Sequence, residues 1–338
     1  MRQLTSTIAI DVMRTEKAIK LVKDTFEREL ASALRLQRVS APRFLPAGTG
    51  LQDDLTGWEE PVRFRTKAGE VEMVHSLAKW KRYALHKYGF TEGTGLYTDM
   101  DAVRKDEKLD ATHSVYVDQW DWEKVIGRED RTLDSLKDVV RRIFKALKAT
   151  EKELQGRFPG FAPRLPEDIA FVHAEDLERE YPDLSPKERE DAVAERHGAV
   201  FLIGIGHPLS SGEPHDDRAA DYDDWVTPTG EGRHGLDGDI LVWDGLRERA
   251  LELSSMGIRV DAAAMRKQLA MKRQDDKASL RFHRGVLEDE LPLTMGGGIG
   301  QSRTCMFLLH KRHVGEVQCG VWPAEMEREC EEQGSFLL

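Results

Sequence analysis

The stretch Gly296-Gly297-Gly298-Ile299-Gly300-Gln301-Ser302-Arg303 sets four glycines in five positions ahead of an arginine and the apolar run Met306 to Leu309. Glycine lets a backbone approach a ligand closely and adopt positive φ without steric cost. The stretch therefore reads as a turn entering a helix whose first turn carries Arg303. A phosphate loop would end in Gly-Lys-Ser/Thr, and a dinucleotide turn would read G-x-G-x-x-G after an early strand. Neither pattern is present. A planar, bidentate cation on such a turn suits a flat, anionic ligand of the nucleotide kind.

Four other groupings could carry chemistry. In Ser114-Val115-Tyr116-Val117-Asp118-Gln119-Trp120-Asp121-Trp122-Glu123, period-2 alternation puts Tyr116, Trp120 and Trp122 on one face and Val117, Gln119, Asp121 and Glu123 on the other. The second face could be a ligand floor, with Val117 under a ring and Gln119 and Asp121 holding a polar substrate; the lesser reading is the solvated face of an edge strand. Arg104 stands ahead of Asp106 and Glu107, as many surface arginines do. Glu252 and Arg259 lie seven apart along an extended segment, a spacing that structural ion pairs also produce. Ser76 and Lys81 share the start of a basic helix.

The elements that must position these groups follow from periodicity. An apolar stripe of Ala18, Ile19, Val22, Phe26, Leu30 and Leu34 predicts a helix over 16–36. A short strand is expected at Val39–Pro42, with Pro42 at a sheet edge or strand end, then a loop over 46–60. A helix from Ser76 to Lys87 should end at Gly89, and residues 91–112 read as irregular and charged. A long amphipathic helix follows through Leu133, Leu136, Val140, Ile143, Phe144, Leu147 and Leu154. Ser185-Pro186-Lys187-Glu188 combines a capping box with proline at the first helical position, predicting a helix to Gly198. Strands are expected at Ala199–Ile205, Asp239–Trp243 and Leu251–Val260. Asp261 should cap a helix to about Arg273, and a helix over 303–313 and a strand over 316–322 should close the chain. Residues 207–237 form a long polar loop with seven acidic residues between Glu213 and Glu231, and loops of that length are commonly functional. Because the strands lack regular β-α-β alternation, the expectation over 1–338 is a single α/β domain, α+β in character, around a mixed, mostly antiparallel sheet.

Composition narrows the function classes. The chain has 338 residues, 40% apolar and 33% charged, and its net charge is −11. That balance argues against broad binding to phosphate backbones, which needs clustered Lys and Arg. No apolar run approaches the ~18 to 20 residues of a membrane span, and the N-terminus lacks a secretion signal. Cys305, Cys319 and Cys330 show no metal spacing and read as reduced thiols, two of them in the core. A cytoplasmic protein without nucleic-acid or membrane partners is expected. The acidic segment Glu325–Glu332 reads as a solvated helix.

Each grouping is weak alone, but their order is informative. A proline-ended strand, Ser-x4-Lys, an arginine before Asp-Glu, Gln-x-Asp-x-Glu, Glu-x6-Arg, and a Gly-rich stretch before Arg303 occur in sequence. This order resembles the catalytic domain of class II aminoacyl-tRNA synthetases, the aspartyl/asparaginyl branch in particular. At finer grain it resembles the ammonia-dependent asparagine synthetases (aspartate–ammonia ligases) built on that domain. His75–Arg82, Gly95-Leu96-Tyr97-Thr98, His113–Glu123, Tyr222-Asp223-Asp224-Trp225, Gly238–Trp243, Glu252–Val260 and Gly296–Arg303 carry the resemblance, which spans roughly Thr15 to Trp322.

The resemblance implies a class II synthetase-like sheet and the following roles. Arg104 would grip the α-phosphate of ATP. Arg303 would pack on adenine and reach the γ-phosphate, with Val117 and Gly298 also in the ATP site. Asp239 and Glu252 would hold ATP through Mg²⁺, a hard cation suited to carboxylate and phosphate oxygens. Lys81 and Arg259 would read the α-carboxylate of L-aspartate, leaving its β-carboxylate to be activated. Ser76, Gln119, Asp121, Asp223 and Ser255 would complete the amino-acid pocket, and Asp53 would sit on a loop closing over it. The implied reaction forms a β-aspartyl adenylate, which ammonia then converts to L-asparagine. Asp53 is the candidate to deprotonate ammonium, with Asp121 and Asp223 behind it. The catalytic set is then Asp53, Arg104, Gln119 and Arg303. Free ammonia is expected as nitrogen donor, since no cysteine precedes residue 305 to serve a glutaminase. Pro42 matches the motif that builds a dimer interface, so a homodimer is implied. Asp54 and Asp237 stand where the resemblance leads one to expect Asn, and Val117 where synthetases place an aromatic ring. The alternatives are an aspartyl/asparaginyl-tRNA synthetase-like enzyme and a non-catalytic amino-acid sensor on the same fold.

Overall fold

The computed structural model describes residues 2–55 and 59–338, with side chains from Asp11 onward. Met1 and the 56–58 part of the expected loop lie outside the described residues. The first helix, α1 (Arg2–Leu34), begins well before the apolar stripe that predicts it. The chain continues through β1 (Leu36–Arg38), β2 (Phe44–Pro46), β3 (Arg63–Thr66), β4 (Gly69–Met73), α2 (Ala78–Tyr88), β5 (Gly95–Val103), β6 (Tyr116–Val125) and α3 (Leu133–Arg157). Next come β7 (Ala170–His173), α4 (Ala174–Glu180), α5 (Pro186–His197), β8 (Ala199–Ile203), β9 (Pro228–Gly230) and β10 (Arg233–His234). The C-terminal part holds β11 (Asp237–Asp244), β12 (Arg249–Ile258), α6 (Ala262–Lys272), α7 (Arg281–Leu287), β13 (Thr294–Gly300), α8 (Gln301–Leu308) and α9 (Ala324–Glu332).

Local chemistry sets the helix ends as read. Gly89 closes α2 at φ 72°, where a residue without Cβ carries no left-handed penalty. Ser185 and Glu188 form the reciprocal capping box of α5, and the Asp261 side chain accepts from the Ala264 N–H at the start of α6. Cys305 and Cys330 are buried and Cys319 is exposed, all three as free thiols. Among the described residues, no helix is long and apolar enough to cross a membrane.

Among the described residues, eight strands form the main sheet in the order β1-β5-β6-β13-β12-β11-β8-β7. Pairing is antiparallel except at the two outer pairs, β1 with β5 and β7 with β8. One face packs on α1 and α3, where Phe26 meets Trp120 with ring centroids 4.6 Å apart, near Trp122, Met256 and Ile299. On the other side, Leu96, Met100 and Ala102 of β5 share a second core with Leu77 and Trp80, Met265, and Phe282. That second side leaves the cleft between β6, β13 and β12 uncovered by core.

Four expectations about elements are corrected. The first strand lies at Leu36–Arg38 rather than 39–42, because it is the Leu36–Arg38 backbone that pairs with Gly95–Tyr97. Residues 95–103 form a full interior strand where an irregular segment is expected. Asp99 and Asp101 disguise its period-2 pattern; they face outward to Arg38 and Arg43, at 2.8 and 3.0 Å. No strand forms over 316–322: a 3-10 turn at Val314–Glu316 is followed by irregular chain in which Trp322 packs edge-on to His313. The helix bearing Arg303 also ends sooner, at Leu308.

A fifth correction concerns the glycines themselves. Gly296, Gly297, Gly298 and Gly300 belong to β13, not to a turn, and none adopts positive φ. Their role is steric. A Cβ at Gly296 would lie 1.8 Å from Glu123 Oε2, one at Gly297 2.4 Å from Met256 Cβ, and one at Gly298 2.3 Å from Gln119 Oε1. The strand is bare so that side chains from β6 can cross it.

This steric account has a testable contrast. Gly296→Ala is expected to cost about 3 kcal/mol by overpacking against a buried carboxylate and the Trp122 carbonyl. Gly156→Ala, whose Cβ would meet nothing within 4 Å in α3, should gain about 0.5 kcal/mol. Urea midpoints of the two variants check both signs.

Candidate active site

The uncovered side of the sheet holds a cleft of about 330 Å³. Its floor is three strands: Val117, Gln119 and Asp121 of β6, Gly297, Gly298 and Gly300 of β13, and Glu252 and Ser255 of β12. Alternation decides this, because Trp120 and Trp122 point into the core and force their neighbours to the cleft. The walls come from Asp53, from Ser76 and Lys81 at the start of α2, from Arg104 and from the loop carrying Arg218, Tyr222 and Asp223. Arg259 and Arg303 complete the lining. Of the residues expected at the site, only Asp239 does not line the cleft; it lies behind Arg218.

One end of the cleft is a buried charge lattice. Lys81 Nζ donates to Asp121 Oδ1 and to the Gly297 carbonyl at 3.0 Å, with Glu123 Oε2 at 3.8 Å. Arg259 makes a two-point contact with Glu123, Nε to Oε1 at 3.0 Å and Nη2 to Oε2 at 2.8 Å, and its Nη1 donates to Asp223. Thr294 Oγ1 donates to Glu123 Oε1 at 2.7 Å. Burial depresses the Lys81 ammonium, and Asp121 and Glu123 do not fully offset it. Burial raises the Asp121 and Asp223 carboxyls despite their cationic partners, whereas Arg259 and Lys81 overcome it at Glu123, which is lowered. Asp121 Oδ2 is buried with no hydrogen-bond partner among the described residues. This end can take a zwitterion: Lys81 and Arg259 line it for a carboxylate, and Asp121 and Asp223 line it for an ammonium.

The other end carries three arginines, Arg104, Arg218 and Arg303. Arg303 donates from Nη1 to the Glu252 carbonyl at 3.2 Å and to Glu252 Oε2 at 3.3 Å, and from Nε to the Thr112 carbonyl. Asp118 holds the start of α8 by accepting from the Ser302 N–H at 2.9 Å and the Ser302 hydroxyl at 2.8 Å, which fixes the neighbouring Arg303. Arg104 donates to the His75 carbonyl from Nε and Nη2, each at 3.3 Å. Arg218 clasps Asp239 at 2.6 and 2.8 Å. Burial, reinforced by Glu252 and Asp216, pushes Asp239 up to about 8 against the pull of Arg218. Glu252 moves the other way, held low against burial by Arg303 and Arg218.

Above the lattice, Ser76 Oγ donates to Asp53 Oδ2 at 2.5 Å and the Leu55 N–H donates to Asp53 Oδ1 at 2.9 Å. His75 Nδ1 lies 3.1 Å from the Asp53 carbonyl. Two lining or supporting residues escape the sequence reading. Glu123 is grouped with its strand face but not with the site, although its position in Gln-x-Asp-x-Glu points it there. Arg218 is hidden in an acidic loop; a single arginine after Asp216-Asp217 was the available signal.

Removing the counter-charge of Arg259 should be severe. Glu123→Gln leaves a buried guanidinium short of one partner and is expected to cost about 3–5 kcal/mol. Glu153→Gln breaks only the exposed i,i+4 pair with Arg157 and should cost no more than about 0.5 kcal/mol. Chemical denaturation of both variants measures the difference.

The chain as a whole is similar to known proteins. A family model described as aspartate-ammonia ligase matches residues 13–334. An aspartate–ammonia ligase of Parabacteroides distasonis is 51% identical over 332 residues, 97% of this chain and 96% of its own. One of Bacillus cytotoxicus is 53% identical over 329 residues, covering 97% and 98%. Among solved structures, asparaginyl-tRNA synthetase of Pyrococcus horikoshii in complex with asparaginyl-adenylate superposes with a TM-score of 0.69 at 13% identity, over 92% of this chain and 70% of that one. Aspartyl-tRNA synthetase of Entamoeba histolytica gives 0.60 at 14% identity, over 91% and 57%. The fold is that of the class II synthetases, and by its sequence the chain belongs to the aspartate–ammonia ligase family.

Proposed function

We propose that the protein makes L-asparagine from L-aspartate and ammonia at the expense of ATP, through a β-aspartyl adenylate, releasing AMP and pyrophosphate. The observation that carries this reading is the cleft's division: an amino-acid-sized charge lattice around Lys81 and Arg259 adjoins a cationic end with Arg104 and Arg303.

Lys81 and Arg259 take the α-carboxylate, and the open oxygen of Asp121, with Asp223, takes the α-ammonium. Ser76, Gln119 and Ser255 fill the remaining polar positions. With both α-groups engaged, the β-carboxylate is left to face the nucleotide. Adenylation asks for positioning and charge neutralisation rather than covalent help from the protein. Arg104 steadies the α-phosphate as the β-carboxylate oxygen attacks phosphorus and pyrophosphate leaves. Arg303 covers the adenine lying over Val117 and Gly298 and meets the γ-phosphate.

A Mg²⁺ carried in on ATP would be held by Glu252, which lines the cleft, and by Asp239 once Arg218 releases it. Among the described residues, no group of three or more His, Cys, Asp or Glu side chains is placed to hold an ion. Mg²⁺ is commonly bound by one or two carboxylates together with substrate phosphates, and such a cation would offset the burial, and the neighbouring Glu252 and Asp216, that raise Asp239. When bound, the ion supplies neutralisation of the polyphosphate. In the second step, Asp53 accepts a proton from ammonium, and the resulting ammonia attacks the acyl carbon and expels AMP. The protein acts as a homodimer in this reading, as the sequence around Pro42 suggests.

The test is incubation with aspartate, ¹⁵N-ammonium, ATP and Mg²⁺. Labelled asparagine and AMP in equal amounts are expected; no asparagine would refute the reading. Arg259→Lys loses the two-point grip and should raise the KM for aspartate about 100-fold. Asp53→Asn should leave aspartate-dependent ATP–pyrophosphate exchange intact while slowing asparagine formation about 100-fold.

A further inference from the structure

Beneath the cleft lies a second buried ionic group that contributes nothing to its lining. Lys79 Nζ meets Asp221 Oδ2 at 2.7 Å, and His283 Nε2 meets the same oxygen at 2.9 Å. All three side chains are at most 2% exposed. They come from α2, from the loop ahead of β9, and from α7. The acceptor is a carboxylate oxygen, so the imidazole donates from Nε2. Burial pulls the Lys79 ammonium down, but Asp221, Asp54 and Asp53 more than offset this and leave it raised.

Each member borders a segment that carries a cleft residue. Lys79 lies on α2 between Ser76 and Lys81. Asp221 immediately precedes Tyr222 and Asp223. His283 is the seat of the loop that bears Asp53: a Cβ at Gly50 would lie 2.9 Å from His283 Nδ1, and the Phe282 N–H donates to the Thr49 carbonyl at 3.3 Å. The same loop is held farther along by Lys277 Nζ on Asp54 Oδ2 at 2.7 Å. By contrast, Val117, Gly298, Glu252 and Arg303 sit on the sheet and α8, with no bond to this group.

We propose that Lys79, Asp221 and His283 are positioning residues: a buried tether that sets the Asp53 loop against the wall bearing Asp223, and thereby governs the ammonia step more than adenylation. This rests on the reaction proposed above. Ions shared among three segments fix their relative positions only while every partner is present, and small misplacements of reacting groups cost rate steeply.

The experiment compares the two half-reactions in His283→Ala, which removes the seat under Gly50 but spares the Lys79–Asp221 pair. Aspartate-dependent ATP–pyrophosphate exchange should stay within about twofold of the unsubstituted protein. Discharge of preformed adenylate by ammonium should slow at least about tenfold, with a raised KM for ammonium. His283→Gln, which can again donate to Asp221, should recover most of that loss. Equal loss in both half-reactions, or no loss in either, would overturn the tether while leaving the reaction standing. Absence of exchange in the unsubstituted protein would overturn the reaction and the tether with it. If His283→Ala does not fold, Lys79→Met combined with Asp221→Leu deletes both charges together, and the same split between half-reactions is expected.

Discussion

The cleft depends on one buried contact, the two-point pairing of Arg259 with Glu123 across Gly296. Both side chains are almost fully buried, so each is tolerable only with its counter-charges in place. Glu123 can reach Arg259 only because β13 has no side chain at Gly296, where a Cβ would fall 1.8 Å from the carboxylate. Thr294 and Lys81 then bind to the same carboxylate and to its neighbours. A stripe of missing side chains thus becomes a groove in which five charges are laid, and the geometry of the amino-acid end follows from it.

The two ends of the cleft are supported differently. The end bearing Arg303 is mounted on the sheet and on α8, where Asp118 ties strand β6 to the helix start. The end around Lys81 and Arg259 is shared between sheet and loops: Asp53 lies on a loop held by side-chain bonds, whereas the Asp223 segment is also pinned to the end of β12 by backbone bonds, Asp224 N–H to the Ile258 carbonyl at 2.9 Å and Val260 N–H to the Tyr222 carbonyl at 2.8 Å. Sheet-borne groups keep their places at little cost, whereas loop-borne ones need dedicated anchors. The buried Lys79–Asp221 pair and His283 serve as such anchors.

Much of this was legible in the residue order, and the failures have physical causes. The alternation in β6, the capping box of α5 and the stop at Gly89 are short-range effects, so the sequence reading matches the structure there. The segment 95–103 reads as irregular because outward-facing Asp99 and Asp101 look like loop residues, and their partners Arg38 and Arg43 lie far away in sequence. The glycines read as a turn for a related reason. Glycine permits turns, but here it answers a steric demand from Glu123, Met256 and Gln119, which only the sheet register reveals. Arg218 was missed because an acidic loop hides one cation, and the Lys79 tether because its members are 142 and 62 residues apart.

In the proposed orientation Lys81 and Arg259 hold the α-carboxylate, so the β-carboxylate is the one joined to AMP. Aspartate labelled with ¹⁸O in the β-carboxylate alone tests it, with the AMP released during asparagine formation analysed by mass spectrometry. One ¹⁸O in the phosphate of AMP is the predicted result. Unlabelled AMP, with label appearing only when the α-carboxylate carries ¹⁸O, would contradict it.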